Sequence, residues 1–227
     1  MSNSQYPQVS PAMSTAESTT VDLLIVPVFG SEDRESEIVK GLDASSNGVI
    51  ARAWNSGEFS SKRHQVLQIE LQGADWGAKR AVLIGTETRD GSVLDRLRLG
   101  SAVGARVAKK LKVARFGILC RGNAANGDLV KAVIEGVGHG GFTDQRYRGS
   151  QEGVSQPTSC ELVWPQTCPK NLTESIRHGK SIARSVSLAR EFSNDPANIL
   201  TPDVFAERAV ALCEEPPNIR YFEPVDV

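Results

Sequence analysis

The stretch Val21–Phe29, VDLLIVPVF, constrains the fold more than any other part of this chain. It is nearly continuous in apolar residues, rich in β-branched side chains and too short for a helix, which marks a strand covered on both faces. Such a strand needs layers above and below it, and the rest of the sequence supplies them. Further strands are predicted at Gln65–Leu71, Arg80–Ile84, Arg115–Cys120 and Cys160–Trp164. Between the middle two, Leu94, Leu97, Val103, Val107 and Leu111, with Ala102, Ala105 and Ala108, form one broad apolar stripe, so Leu94–Leu111 reads as a helix. Another helix begins at Asp128, with Leu129, Val130, Val133, Ile134 and Val137 along one side. Strands alternating with helices of this length imply an α/β layered sheet with parallel strands and crossover helices.

Around this frame the punctuation is clear. Residues 1–20 (MSNSQYPQVSPAMSTAESTT) are polar, Ser/Thr/Pro-rich and aperiodic, and read as a disordered tail. Ser31 offers an N-cap with Glu32, Asp33 and Glu35 in the first turn of a short helix. A second short helix covers Gly48–Asn55 and ends in the turn Ser56-Gly57. From Leu172 the pattern changes: Ile176, Ile182, Ala183, Val186, Ala189 and Phe192 make a long amphipathic helix that ends near Ser193 and is closed by Pro196. Thr201-Pro-Asp opens the next helix, with Thr as N-cap and Pro at the first helical position. Asn218–Phe222 reads as the start of a strand.

Composition excludes several classes. Lys plus Arg number 26 against 27 acidic residues, so net charge points to no polyanionic partner. No apolar run approaches the roughly 20 residues needed to span a bilayer, and the first twenty residues have no apolar centre of a secretory signal. Cys120, Cys160, Cys168 and Cys213 contain no CxxC pair, as expected of a cytoplasmic chain with reduced thiols.

Few residues offer chemistry. Gly136-Val-Gly138-His-Gly-Gly141 matches GxGxxG formally, but it closes a helix instead of following a strand, so a C-terminal cap and tight turn is the better account. The loop after the Arg115–Cys120 strand, with Gly122, Asn123, Asn126 and Gly127, precedes a helix and could receive an anion on its backbone amides. His64, His139 and His178 lie far apart, and Cys160, Cys168 and His178 lack metal-ligand spacing. Arg96, Arg98, Arg106, Lys109, Lys110 and Lys112 make one helix basic, which a solvated face complementing the helix dipole explains. No catalytic and no metal-binding residue is assigned.

The segment Ser187–Leu212, SLAREFSNDPANILTPDVFAERAVAL, resembles the entry to the catalytic domain of the leucyl (cytosol) aminopeptidases. Its most specific part is NDPANILTP, with Asn194, Asp195, Pro196, Asn198, Thr201 and Pro202. LDASSNGVIARAWNSGEF, AVLIGTETRD, LRLGSAVGARVAKKLKV and AVIEGVGHGGFTDQRYR are similar, in order and spacing, to earlier pieces of that family. The last departs at Asp144, where an aromatic is usual, while Tyr147 and Arg148 fit.

The resemblance implies a macro-domain-like layered sheet with flanking helices, followed by a long linker helix. It divides the chain into a tail over 1–20, an N-terminal domain over 21–168, and over 169–227 the linker helix and the start of a catalytic domain. Family catalysis uses two divalent metals, zinc or manganese, held by a Lys, three Asp and a Glu with help from a second Lys and an Arg. These lie in GK-F-DSGG-like and NTDAEGRL-like strings, and neither occurs here. The chain is therefore expected to be the non-catalytic N-terminal portion of a metallo-exopeptidase, carrying no cofactor itself. Its expected partners are further copies of itself, since the family is hexameric, or a complementary catalytic chain, with no membrane and no nucleic acid. The alternative is a stand-alone macro-like module binding a nucleotide, ADP-ribose or nucleic acid.

Overall fold

The computed structural model describes residues 7–88, 91–121, 127–144, 156–165 and 172–214. It divides into two compact units, Met1–Ser187 and Leu188–Val227. The first is a six-stranded sheet in the order β1-β6-β5-β2-β4-β3, formed by β1 (Gln8–Thr15), β2 (Leu23–Val28), β3 (Val66–Glu70), β4 (Arg80–Gly85), β5 (Arg115–Leu119) and β6 (Ser159–Trp164). The helices are α1 (Glu37–Ser45), α2 (Val49–Ser56), α3 (Val93–Lys110), α4 (Gly127–Gly141), α5 (Thr173–Asn194) and α6 (Pro202–Glu214).

The apolar run lies at the centre, as its composition demands. β2 pairs in parallel with β4 on one side and β5 on the other, and every one of its residues is buried. Its side chains alternate between layers: Leu23 and Ile25 join the core under α3 and α4, while Leu24, Val26 and Val28 join Val39, Leu42, Ile50 and Phe59 under α1 and α2.

Two strands depart from expectation. Gln8–Thr15 is not a disordered tail: it pairs in parallel with β6, Val9 opposite Cys160, and buries Val9 and Ala12. Its partner lies about 150 residues away in sequence, and Pro11 suits only an edge strand, so no local signal marks it. β3 runs antiparallel to β4, because the short connection between them holds no crossover helix. Its alternating exposed and buried residues fit the opposite edge of the sheet.

Two helical details also differ. Ser31–Glu35 is a single 3-10 turn, and the cap belongs to Ser36, whose side chain accepts the Val39 N–H at the start of α1. The glycines of the GxGxxG string do not cap a helix; they lie inside α4, which continues to Gly141. Asn218–Phe222 falls outside the described residues.

The glycines matter for packing. Apart from the fully buried Leu97, the buried face of α3 is built of small residues, Gly100, Ser101, Ala102, Gly104, Ala105 and Ala108, while Leu94, Val103, Val107 and Leu111 are only partly buried. A Cβ on Gly104 would lie 2.6 Å from Ile25 of β2, and one on Gly136 or Gly140 would lie 2.3 or 2.0 Å from the Arg98 or Ala102 carbonyl oxygen. Backbone therefore meets backbone between α3 and α4, leaving no room for a methyl group. Gly140→Ala is expected to lower stability by about 1–3 kcal/mol in urea denaturation. Gly141→Ala, where nothing lies within 4 Å of the added carbon, should stay within about 0.5 kcal/mol of the parent. Equal effects from the two substitutions would refute this packing.

Candidate functional site

The chain leaves β2 through the 3-10 turn and α1 on one face and leaves β5 through α4 on the other. The carboxyl ends of β2 and β5 therefore flank a topological switch point, the usual place for a ligand in an open α/β sheet. A cleft of about 230 Å³ opens there, lined by Val26, Ile38, Val39, Leu119, Arg121 and Pro165 among others. It is small beside ligand pockets of about 300–1,000 Å³.

The cation in its wall is already engaged. The Arg121 guanidinium grips the Asp33 carboxylate through both terminal nitrogens, donates to the Pro27 carbonyl at 3.0 Å and stacks 4.9 Å from the centre of the Phe29 ring. Asp33 also accepts the Phe29 N–H at 2.5 Å. The carboxylate is 8% exposed and the guanidinium 19%, so the pair is largely desolvated and its charges cancel locally. Arg96 donates to the Phe29 carbonyl at 3.3 Å and the Thr88 carbonyl at 3.2 Å, closing the ends of β2 and β4 in the same way. An incoming anion would have to displace Asp33 to reach Arg121. The arrangement is a clamp that ties the loop after β2 to the end of β5.

Sequence reasoning missed this pair. It treats Asp33 as a first-turn helix acid, and 88 residues separate the partners, so nothing local links them. Of the proposed anion loop, Gly122, Asn123 and Asn126 lie outside the described residues. Gly127 is the first residue of α4, where a Cβ would sit 2.3 Å from the Ser175 hydroxyl oxygen of α5. In that first turn Asp128, bridged to Lys131 at 2.9 Å, brings a carboxylate to the position an anion would favour.

The other singled-out residues are dispersed. His64 is in a loop before β3, His139 in α4 and His178 in α5. Cys120 and Cys160 are buried in the core beneath α3 and α4, and burial pushes the Cys160 thiol well above its ordinary range. Among the described residues, no group of three or more His, Cys, Asp or Glu side chains could hold a metal ion.

The NDPANILTP segment, in contrast, forms one local structure. Asn194 ends α5, the Pro196 carbonyl accepts the N–H groups of Ile199 and Leu200 at 2.8 and 3.0 Å, and Asn198 is exposed. Thr201 caps α6 by accepting the Val204 N–H at 3.3 Å, and Pro202 is the first helical residue. Asp195 receives the Arg208 guanidinium.

The profile of the cytosol aminopeptidase family, N-terminal domain, matches residues 25–151, more than half of the chain. The chain belongs to the cytosol aminopeptidase family. A probable cytosol aminopeptidase of Syntrophotalea carbinolica is 28% identical over 202 residues, covering 86% of this chain and 40% of that protein. The chloroplastic neutral leucine aminopeptidase of Solanum lycopersicum is 28% identical over 187 residues, covering 79% and 32%. A solved mutant of tomato leucine aminopeptidase superposes with a TM-score of 0.75 at 22% identity, over 93% of this chain and 43% of that one. The mixed α/β sheet with flanking helices is thus the fold of the cytosol aminopeptidase N-terminal domain, and the chain spans about two fifths of the length of such relatives. No described helix is long and apolar enough to cross a membrane.

Arg121→Ala leaves the Asp33 carboxylate buried without its cation, and should cost about 3 kcal/mol in chemical denaturation. A change below about 0.5 kcal/mol would mean that the pair does not clamp the strand ends.

Proposed function

We propose that this chain is the non-catalytic N-terminal portion of a leucyl (cytosol) aminopeptidase-type metallopeptidase and does not cleave peptides by itself. The observation that carries this is one of extent. The chain aligns over 86% of its length with only 40% of a cytosol aminopeptidase, and its described residues bring no metal-holding group together. The two divalent metals, zinc or manganese, would be held by residues beyond those that align, as would the groups that activate water. Pairing with a complementary catalytic chain would then bring the halves together in the cytoplasm, and self-association of the hexameric kind would join copies of the platform. In this reading the sheet unit is a folded platform, and α5 is the arm that joins it to the catalytic part. The alternative, a module binding a nucleotide or ADP-ribose, finds little support in a small cleft whose arginine is committed to Asp33.

The test is an assay of the purified chain with leucine p-nitroanilide and excess manganese or zinc, together with sequencing of its transcript. No turnover is expected, and the transcript or an adjacent frame should encode the two-metal motifs. Metal-dependent turnover that tracks the protein through purification would overturn the non-catalytic assignment. An unrelated downstream sequence would overturn the aminopeptidase assignment.

A further inference from the structure

The second compact unit carries an arrangement that none of the family assignment explains. Asp195 follows the end of α5, and its side chain has no exposed surface, whereas its partner Arg208 is 33% exposed. A carboxylate is not withdrawn from water without a compensating charge, and Arg208, in α6, supplies one. The same guanidinium lies 5.7 Å from the centre of the Phe192 ring, and Phe192 packs on Phe205 with centroids 5.3 Å apart. The four residues form two rungs. Phe205 and Arg208 are three apart on α6 and so share one side of that helix, while Asp195, just past the end of α5, is held beside Phe192 by its N–H donating to the Phe192 carbonyl at 3.3 Å. One rung is apolar, the other ionic, and the cation–π contact crosses between them.

We propose that Asp195 and Arg208 are a latch that fixes the elbow between the end of α5 and α6, so that α6 is folded and oriented before any further segment packs on it. Several features fit such a device. α6 has 13 residues, a length at which an isolated helix is marginal in water. Phe205 remains 50% exposed, so its contact with Phe192 alone is incomplete. The intervening turn is already tied by the Pro196 carbonyl and the Thr201 hydroxyl, leaving the angle of α6 as the remaining freedom. The bridge removes that freedom and assigns Asp195 and Arg208 as positioning residues. The latch concerns this chain alone and does not rest on the aminopeptidase assignment.

Amide hydrogen exchange on the full chain tests it. In the parent, amides from Val204 to Leu212 should be protected. Arg208→Ala and Asp195→Asn should each lower that protection about tenfold or more, with Leu23–Val28 unchanged as the internal control. Arg208→Lys, which keeps the charge but loses the planar contact with Phe192, should recover part of the loss. An unprotected α6 in the parent overturns the latch without any variant being made. Unchanged protection in both Arg208→Ala and Asp195→Asn, or a lysine variant no better than alanine, overturns it as well.

Discussion

The approach of α3 to α4 sets the spacing on which one whole layer of this protein depends. Because Gly136 and Gly140 present no side chain to the Arg98 and Ala102 carbonyls, the two helices sit backbone against backbone. α3 is also drawn close to the sheet, by Gly100 over the Pro27 side chain and Gly104 over the Ile25 side chain. With the helices this near, Val133, Ile134 and Val137 of α4 reach the core that Leu23, Ile25, Phe116 and Ile118 offer from below. α5 follows the same rule, its Gly179 lying where a Cβ would be 3.1 Å from Cβ of Ile134. Small residues take the place of interdigitated large ones, and dispersion between close backbones offsets the apolar area given up.

The opposite layer is conventional, with Leu42, Ile50, Phe59 and Trp76 filling the space beneath α1 and α2. Where the layers meet at the strand ends, the protein spends its charged groups on architecture. Asp33 and Arg121 join the loop after β2 to the end of β5, and Arg96 closes the carbonyls of Phe29 and Thr88. A switch-point crevice in such a sheet commonly serves a ligand. Here its cation is neutralised from within.

Much of this was legible in the sequence, for reasons that differ by element. The strand Leu23–Val28 declares itself because burial on both faces requires an unbroken apolar run. α3, α5 and α6 declare themselves through period and capping, with Thr201 and Pro202 placing the start of α6 to the residue. The NDPANILTP string pointed to the family. What was illegible depends on distance. β1 is polar, contains Pro11 and acquires its identity only from β6, far along the chain. Asp33 looks like any helix-opening acid until Arg121 arrives from 88 residues away. Gly136, the first glycine of the string that formally matches a nucleotide fingerprint, is required by close packing, and packing and phosphate binding alike can demand the absence of a Cβ.

Both layers and the sheet between them lie in one compact unit, Met1–Ser187, and are expected to unfold as one cooperative body. Tryptophans report on each layer separately: Trp164 is buried on the α3–α4 side, Trp76 on the α1–α2 side. Two variants of the full chain, each keeping one of these as its sole tryptophan, can be unfolded in urea and followed by fluorescence alongside circular dichroism. The transition seen by each tryptophan should coincide with that of the backbone signal in the same variant, with the same slope. A tryptophan transition separated from the loss of secondary structure would contradict the account, because it would mean that one layer can leave while the sheet persists.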